Sequence, residues 1–282
     1  MKAPVLIAID LDRTLIYSRR FFDAPPSDGQ CVEIYEGAPI SFMTAIAVAE
    51  LQDLSARHIV VPATTRTVAQ YLRIRLPGGP HRFAVTSNGG SILVDGMPDR
   101  EWNALVSAQV LGESAAIDEV ITALRARVSD RWVHSGRVAE GLFSYLVVDE
   151  TAMPPDFVES WRDWCAPRGW QVSQQGRKVY TVPKELCKSR AVREVRRRLV
   201  ESGDLDPDAS LFAAGDGALD AELLLYADAA IRPSHGELHA LGWQSHHTTV
   251  TKLSGAAASE EILAWLQCRA ARNRPPKAGS AR

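Results

Sequence analysis

Closely spaced cysteines are absent from this sequence. Its four cysteines are scattered along 282 residues, and no two of them form a Cys-x-x-Cys pair. A chain of this length can bury a core without disulfide bonds, so we expect free thiols and a reducing, cytoplasmic location. A zinc site is not expected, because the paired ligands that usually hold zinc are missing.

Long apolar runs and a strong net charge are also missing. The first apolar run, Val5–Ile9, ends at Asp10 and is too short for a membrane span or for the core of a signal peptide. The formal net charge is -2, so no overall field attracts nucleic acid or an anionic membrane. We therefore expect no nucleic-acid partner and no membrane partner, while the oligomeric state stays open.

Short apolar runs alternate with helical patterns near both ends of the chain. The runs have the composition of strands that are buried on both faces: Val5–Ile9, Ile59–Val61, Phe83–Val85, Leu211–Ala214 and Ala229–Ile231. A helix is predicted between the first two runs, over about 42–57. Strands separated by helices predict an α/β fold with a Rossmann-like parallel sheet.

The middle of the chain has a different pattern. A helix followed by two strands is predicted twice: 114–128, 131–134 and 142–148, then 157–164, 170–172 and 178–182. This pattern predicts an α+β cap domain at 91–185, inserted into a core domain formed by 1–90 and 186–268. Residues 269–282, rich in proline, glycine and basic side chains, are predicted to be a disordered tail.

Two pairs of aspartates follow predicted strands. Asp10 and Asp12 come directly after the first strand, and Asp216 and Asp220 follow Leu211–Ala214. Ligands of an open α/β sheet bind at the carboxyl ends of its strands, so we expect the four carboxylates at one edge. There they would repel one another unless a hard cation such as Mg²⁺ lay between them. A single pair could instead cap a turn, but two pairs favour the cation.

Thr64 and Lys188 fit a phosphate site beside that cation. Thr64 follows the strand at Ile59–Val61, and Lys188 opens a helical pattern. Taken singly, the threonine could be an ordinary helix cap and the lysine a solvated side chain. Beside paired carboxylates both become candidates, because a phosphate site needs a fixed cation.

The order of these motifs resembles the haloacid dehalogenase (HAD) superfamily of phosphatases, over about residues 3–270. The motifs are Asp-x-Asp-x-Thr at 10–14, Thr-x-Arg at 64–66, Lys188, and Gly-Asp-x-x-x-Asp at 215–220. Thr64-Thr65-Arg66 and Ser87-Asn88-Gly89-Gly90 are similar to segments of the Cof-type and sucrose-phosphatase-like branch. That branch carries an α+β cap where this chain has its predicted insertion.

The resemblance implies catalytic roles for four residues. Asp10 would be the nucleophile that attacks phosphorus and forms an aspartyl phosphate. Asp12 would protonate the leaving oxygen and then activate water. Thr64 and Lys188 would hold the transferring phosphoryl group.

The resemblance also implies a magnesium site. Asp10, the backbone carbonyl of Asp12, and Asp216 would bind Mg²⁺, and Asp220 would position the metal or its water. Three positions depart from the pattern of the branch: Arg13 and Thr65 stand where glycine is frequent, and Leu219 stands where asparagine is frequent.

Specificity is expected to come from polar residues around the crevice. The candidates for substrate binding are Arg66, Asn88, Arg137, Glu140, Arg177 and Lys178. The expected activity is Mg²⁺-dependent hydrolysis of a small phosphorylated metabolite, with a sugar phosphate as the first choice by family analogy. Two alternatives are a phosphomutase with the same intermediate and a regulatory member of a stress or biosynthetic pathway with weak phosphatase activity.

Overall fold

The computed structural model describes residues 4–22 and 29–272. Its strands, in chain order, are β1 (Leu6–Ile9), β2 (Gly29–Tyr35), β3 (Ala38–Thr44), β4 (Ile59–Pro62), β5 (Phe83–Thr86), β6 (Ser91–Val94), β7 (Met97–Pro98), β8 (Val133–Ala139), β9 (Phe143–Val148), β10 (Trp170–Gln175), β11 (Lys178–Pro183), β12 (Leu211–Ala214), β13 (Ala229–Arg232) and β14 (Thr248–Val250). Its α-helices are α1 (Ala45–Arg57), α2 (Val68–Tyr71), α3 (Arg100–Glu113), α4 (Ile117–Arg125), α5 (Phe157–Cys165), α6 (Lys188–Glu201), α7 (Ala221–Tyr226), α8 (Glu237–Ala240) and α9 (Ala257–Arg272).

A parallel sheet forms the centre of the core, with the strand order β14-β13-β12-β1-β4. The last residue of β1, Ile9, lies opposite Ala214 of β12 on one side and Pro62 of β4 on the other. From β1 the chain first adds β4 on one side of the sheet, and it later adds β12, β13 and β14 on the other side. This reversal of strand order places a crevice at the end of β1, where ligands of such sheets bind.

The central strands are buried on both faces. Leu6 and Ala8 face the apolar cluster under α6 and α7, whereas Ile7 and Ile9 face the cluster under α1 and α9. Alternate residues of a strand point to opposite faces, so a strand covered on both sides must be apolar throughout. This explains the continuous apolar runs and confirms the predicted α/β core.

A separate antiparallel sheet carries the α+β cap, with the strand order β10-β11-β9-β8. Trp161 of α5 and Trp170 of β10 are fully buried in its apolar core, together with Val120 of α4. The other face of this sheet presents Phe143 and Tyr180 to the apolar cluster under α6. The predicted fold class is therefore confirmed, while the exact division into 1–90, 91–185 and 186–268 stays a prediction.

The region before α1 differs from the prediction. Phe42 lies in β3 of a β2–β3 hairpin, and α1 begins only after Thr44, whose side chain accepts a hydrogen bond from Ala47 N (3.1 Å). The predicted helix start at 42 was wrong because the apolar pattern of the strand runs on without a break into that of the helix. The hairpin covers one side of the crevice.

Phe83–Val85 forms a strand, as predicted, but pairs differently. β5 bonds in antiparallel fashion to β6 and touches the central sheet through a bridge between Ala63 and Val85. The fifth position of the parallel sheet is instead taken by β14. Apolar composition indicates that a strand is buried but does not show which strand pairs with it.

The C-terminal helix is longer than expected. Residues 269–272 belong to α9 and are not part of a disordered tail, and 273–282 lie outside the described residues. Cys31, Cys165, Cys187 and Cys268 are all free thiols. In the described part of the chain, no helix has both the length and the apolar composition needed to cross a bilayer.

Two glutamates join the cap to the core. Glu237 of α8 accepts hydrogen bonds from Ser173 Oγ (2.5 Å) and Gln174 N (2.8 Å) of the cap, and from Ala218 N (2.9 Å) of the core. On the other side, Glu140 of the cap accepts from Val68 N (2.9 Å) and from the Ser87 hydroxyl. Both carboxylates hold the cap sheet against the crevice.

We expect Glu237→Gln to lower the free energy of unfolding by about 1–3 kcal/mol, because the amide nitrogen would meet a backbone N–H donor in a buried position. Guanidinium unfolding at pH 7.5 measures this loss. Glu150→Gln changes an exposed cap glutamate and should stay within about 0.5 kcal/mol of wild type. Equal midpoints for the two variants would show that Glu237 does not hold the cap.

Candidate active site

Asp10 begins the loop that follows β1. Its backbone N–H donates to Ala214 O (2.9 Å), and its Oδ2 accepts from Thr14 Oγ1 (3.2 Å). The loop turns at Arg13, which has φ 62°, and closes with a hydrogen bond from Ile16 N to Leu11 O (2.9 Å). A positive φ costs a non-glycine residue roughly 1 kcal/mol, a cost that glycine would avoid at this position.

His235 holds the strained turn from the other side. Its Nδ1 accepts a hydrogen bond from Gly255 N (3.2 Å), so its Nε2 carries the proton and donates to Arg13 O (2.9 Å). Burial lowers the pKa of His235, which keeps the ring neutral and this hydrogen-bond pattern in place. The carbonyl of Arg13 is also bound by the Tyr17 hydroxyl (2.9 Å).

Three buried carboxylates meet at the carboxyl edge of the sheet. Ligand atoms of Asp10, Asp216 and Asp220 lie within 4.8 Å of one another. Lys188 Nζ donates to Asp10 Oδ1 (2.6 Å) and Asp220 Oδ1 (2.5 Å), and Lys188 is 1% exposed. The attraction of both carboxylates outweighs burial and raises the pKa of Lys188, so it stays charged.

Asp220 has both oxygens occupied. Its Oδ2 accepts from the backbone N–H groups of Asp216 (3.1 Å) and Gly217 (2.9 Å), while Oδ1 accepts from Lys188. Asp220 therefore orders the loop that carries Asp216. Its predicted role in positioning the metal or its water stays a prediction.

Asp216, unlike Asp220, lacks hydrogen bonds to its carboxylate oxygens within the described part of the chain. It is 1% exposed, and neither carboxylate oxygen has a hydrogen-bond partner among the described residues. Arg13 Nε is 3.7 Å from Oδ2. Gly236 has φ 89°, and a Cβ there would lie 2.5 Å from Asp216 Oδ2, so glycine is required beside this carboxylate. A buried carboxylate without hydrogen bonds is costly, and a hard cation held between Asp216 and Asp10 would offset that cost. The donor set therefore fits a divalent metal.

The charge state of the cluster agrees with this fit. Burial, with the neighbouring charge of Asp220 adding to it and Lys188 opposing it, raises the pKa of Asp10 to about 7. Burial and the charges of Asp10 and Asp220 also raise the pKa of Asp216 well above its usual range. One lysine does not keep both Asp10 and Asp216 ionised, whereas a divalent cation between them would favour their charged forms.

Asp12 points away from this cluster and toward Arg66. Arg66 donates from Nε to Asp12 Oδ2 (2.6 Å) and from Nη2 to Asp12 Oδ1 (2.8 Å). Burial alone would raise the pKa of Asp12, but the charge and hydrogen bonds of Arg66 outweigh it, with Lys178 and Lys188 adding, and the pKa falls to about 2. The side chain of Asp12 is thus separate from the three carboxylates, and its predicted metal contact through the backbone carbonyl stays a prediction.

Arg66 is itself held by the β2–β3 hairpin. Its Nη1 donates to Glu33 Oε2 (2.7 Å), and the Ser41 hydroxyl donates to the same oxygen (2.6 Å). Glu33 is 1% exposed, and Arg73 Nη2 lies 3.3 Å from its other oxygen. Asp12, Arg66, Glu33 and Arg73 form a chain of alternating charges.

Thr64 and Asn88 lie under the crevice. Thr64 is fully buried after β4, and its Oγ1 accepts from Arg66 N (3.1 Å). Asn88 N donates to Thr64 O (3.0 Å), and Asn88 Nδ2 donates to Leu186 O (2.6 Å) just before α6. Asn88 is 1% exposed and links the segment of Thr64 to that of Lys188. Its observed contacts position these residues.

The cap candidates divide into two groups. Arg177 and Lys178 line a cavity of ≈ 360 Å³ together with Asp12, Arg13 and Arg66. The attraction of Tyr180 outweighs burial and raises the pKa of Lys178, and Asp12 adds to this effect.

Arg137 and Glu140 lie elsewhere. Arg137 is exposed on β8 and does not line this cavity, and Glu140 is bonded to Val68 and Ser87 of the core. Substrate contact by these two residues remains a prediction.

Several residues of the site had no individual signal in the sequence. Arg20 and Gln175 line the same cavity, and Glu33 and Ser41 hold Arg66. Glycine at 37, flanked by β-branched and aromatic residues, could have predicted the hairpin. The burial of Glu33 could not have been found, because acidic residues of hairpins are usually solvated.

We expect Glu33→Gln to lower the free energy of unfolding by about 2–4 kcal/mol, because Arg66 would keep its charge and lose a buried partner. Urea unfolding at pH 7.5 measures this change. Glu36→Gln, an exposed change in the same hairpin, is the matched control. A loss as small as that of the control would mean that Glu33 does not hold Arg66.

The raised pKa of Asp10 predicts a pH effect in metal-free protein. The folded chain keeps a proton on Asp10 up to about pH 7, while the unfolded chain releases it near about pH 4, so this group lowers stability as pH rises from about 4 to about 7. Asp10→Asn should therefore be more stable relative to wild type at pH 7.5 than at pH 5, measured by unfolding in EDTA. The same difference in unfolding free energy between Asp10→Asn and wild type at both pH values would contradict the raised pKa of Asp10.

Comparisons with known proteins place this geometry in a structural context. No family model and no curated protein matches the sequence. The structure is similar to the sucrose-phosphatase of Synechocystis sp. PCC6803, solved with sucrose and phosphate, with TM-score 0.62 and 15% identity over 95% of this chain and 99% of that one. It is also similar to a trehalose-6-phosphate phosphatase related protein, with TM-score 0.52 and 17% identity over 95% of this chain and 100% of that one.

A third similar structure is a HAD subclass IIB sugar phosphatase, with TM-score 0.53 and 11% identity over 94% of this chain and 98% of that one. All three matches cover nearly the whole of both chains, so core and cap are matched together. The chain therefore shares the fold of these three proteins, an α/β core that carries an α+β cap.

Proposed function

We propose that this protein is a Mg²⁺-dependent phosphohydrolase that acts on a small phosphorylated metabolite through an aspartyl-phosphate intermediate. The observation that carries the proposal is the buried cluster of Asp10, Asp216 and Asp220 around Lys188. Sugar phosphates are a reasonable substrate class, because the similar structures include sugar phosphatases. The core of 1–90 and 186–268 and the cap of 91–185 are part of the same proposal.

In the first half-reaction, a carboxylate oxygen of Asp10 attacks phosphorus. A bond forms between Asp10 and phosphorus, and the bond from phosphorus to the leaving oxygen breaks. Asp12 gives its proton to that oxygen, so the product leaves as an alcohol. Lys188 and Thr64 hold the phosphoryl oxygens while charge is redistributed.

In the second half-reaction, water attacks the phosphorus of the aspartyl phosphate. Asp12, now ionised, takes the proton from this water, and the bond between Asp10 and phosphorus breaks. Inorganic phosphate is released and Asp10 returns to a carboxylate. One acid thus serves both halves.

Asp10, Asp216 and the backbone carbonyl of Asp12 would hold the magnesium ion. When bound, it supplies positive charge that offsets the repulsion between the Asp10 carboxylate and the phosphate dianion. Asp220 supports this arrangement by fixing the backbone of Asp216 and the ammonium of Lys188.

The ion pair between Asp12 and Arg66 sets a condition for this mechanism. While paired, Asp12 has a pKa of about 2 and cannot carry a proton near neutral pH. Asp12 must therefore separate from Arg66 before it can act as an acid. Arg66 lines the substrate cavity, so a bound substrate is in a position to compete for it.

A phosphomutase would use the same intermediate and return the phosphoryl group to a sugar. It would depend on a bisphosphate activator, whereas a hydrolase releases inorganic phosphate without one. A regulatory protein with weak activity would turn over every phosphate ester slowly. A panel of phosphorylated metabolites, with and without Mg²⁺, separates these alternatives.

The decisive test is release of inorganic phosphate. We expect turnover with Mg²⁺, and loss of activity by at least about 1,000-fold in excess EDTA or in Asp10→Asn. EDTA removes the positive charge that offsets the repulsion between Asp10 and the phosphate, and Asp10→Asn removes the nucleophile. Undiminished turnover in EDTA would reject the metal, and undiminished turnover by a folded Asp10→Asn protein would reject the nucleophile.

Asp12→Asn, compared with Asp10→Asn, tests the acid role of Asp12. It should still form some phosphoenzyme with nitrophenyl phosphate, whose leaving group needs little protonation, and it should be slow with alkyl phosphates. Equal losses with both classes of substrate would remove Asp12 from the acid role.

A further inference from the structure

The cavity beside Asp12 has an unusual charge balance. Its charged lining residues are one acid, Asp12, and a set of cations: Arg13, Arg20, Arg66, Arg177 and Lys178. Its volume of ≈ 360 Å³ is that of a site for a small metabolite. For a chain with a formal net charge of -2, this concentration of positive charge is local.

Two of these cations have partners on the protein. Arg66 is paired with Asp12 and Glu33, and Arg13 Nε lies 3.7 Å from Asp216. Arg20, Arg177 and Lys178 form no ion pair with any carboxylate of residues 4–22 and 29–272. Asp12 attracts Lys178 without forming an ion pair with it, so one acid faces three cations that have no ion-pair partner in the described part of the protein.

These three cations approach the cavity from both sides. Arg20 belongs to the core, lies 4.9 Å from the centre of the Phe21 ring, and reaches the β10–β11 turn, where a Cβ on Gly176 would be 3.6 Å from its Nη2. Arg177 and Lys178 follow that glycine in the cap. Lys178 Nζ lies 5.7 Å from the centre of the Tyr145 ring.

The cavity lies on the leaving-group side of the proposed reaction. Asp12, which would protonate the leaving oxygen, lines it, whereas Asp10, Thr64 and Lys188 do not. The phosphoryl group has its own binding residues at the sheet edge. The three cations therefore face the alcohol part of the substrate.

Like charges in a half-enclosed space repel one another and attract anions. A neutral alcohol would leave this repulsion in place, while an anionic substituent would relieve it. The planar guanidinium groups of Arg20 and Arg177 match the geometry of a carboxylate or phosphate, with which arginine forms paired hydrogen bonds.

We propose that the substrate of this site carries a second anionic group, a carboxylate or a second phosphate, on its leaving alcohol, and that Arg20, Arg177 and Lys178 bind it. The proposal deepens the proposed phosphohydrolase function and rests on it for the identity of the leaving-group side.

Two matched pairs of phosphate esters test this proposal. 3-Phosphoglycerate is compared with glycerol 3-phosphate, and fructose 1,6-bisphosphate with fructose 6-phosphate, by calorimetric binding to Asp10→Asn protein in the presence of Mg²⁺. This protein lacks the nucleophile, so binding is read without turnover. We expect the anionic member of at least one pair to bind about tenfold more tightly, or about 1.4 kcal/mol. A preference in the first pair alone identifies a carboxylate, and one in the second pair alone identifies a phosphate.

Charge-matched variants locate the effect. Arg177→Gln and Lys178→Gln, each added to Asp10→Asn, should reduce the preference at least about threefold, because each removes one cation from the cavity. Arg131→Gln removes an exposed cap arginine that does not line the cavity and should keep the preference. Equal binding within both pairs, or a preference that survives both cavity variants, would overturn the proposal.

Turnover is measured separately on wild-type protein with the same esters. Binding preference without phosphate release from any ester would reject the proposed hydrolysis and keep the anion site. Phosphate release without a binding preference would reject the anion site and keep the proposed hydrolysis. The two proposals therefore fail in distinguishable ways.

Discussion

The site depends on one buried cation, the ammonium of Lys188. Its two short hydrogen bonds connect Asp10, after β1, to Asp220, after β12, and all three residues are almost fully buried. Without a fixed positive charge, two carboxylates this close would repel one another. Because Lys188 begins α6, the same contact also fixes the chain where it returns from the cap to the core.

Arg66 holds Asp12 as Lys188 holds Asp10. It sits between Asp12 and Glu33 and keeps Asp12 ionised and turned away from the three carboxylates. The two cations therefore separate two acids that are neighbours in sequence. This separation leaves Asp10, the proposed nucleophile, buried beside Lys188 and leaves Asp12 in the wall of the cavity.

Polar contacts of Glu140 and Glu237 hold the cap on the core, together with an apolar contact through Phe143 and Tyr180. This placement brings the β10–β11 turn over the loop that follows β1. Gln175 comes so close to the backbone of Gly217 that a Cβ there would lie 2.2 Å from its Nε2. The basic residues that follow this turn, Arg177 and Lys178, thereby become part of the cavity wall. The positive charge of the cavity therefore depends on the position of the cap on the core.

The sequence by itself determined the α/β core, the α+β insertion and the residues at the ends of the central strands. Strand burial requires apolar runs, and a parallel sheet brings the residues after its strands to one edge, so Asp10, Thr64 and Asp216 could be placed together. The structure alone decided that β14 completes the sheet, that a hairpin covers the crevice, and that Asp12 pairs with Arg66, 54 residues away, instead of joining the carboxylate cluster. It also decided that Glu140 bonds to the core while Lys178 lines the cavity. The physical reason is that strand burial leaves a regular pattern in the sequence, whereas the partner of a single buried charge depends on how distant segments dock.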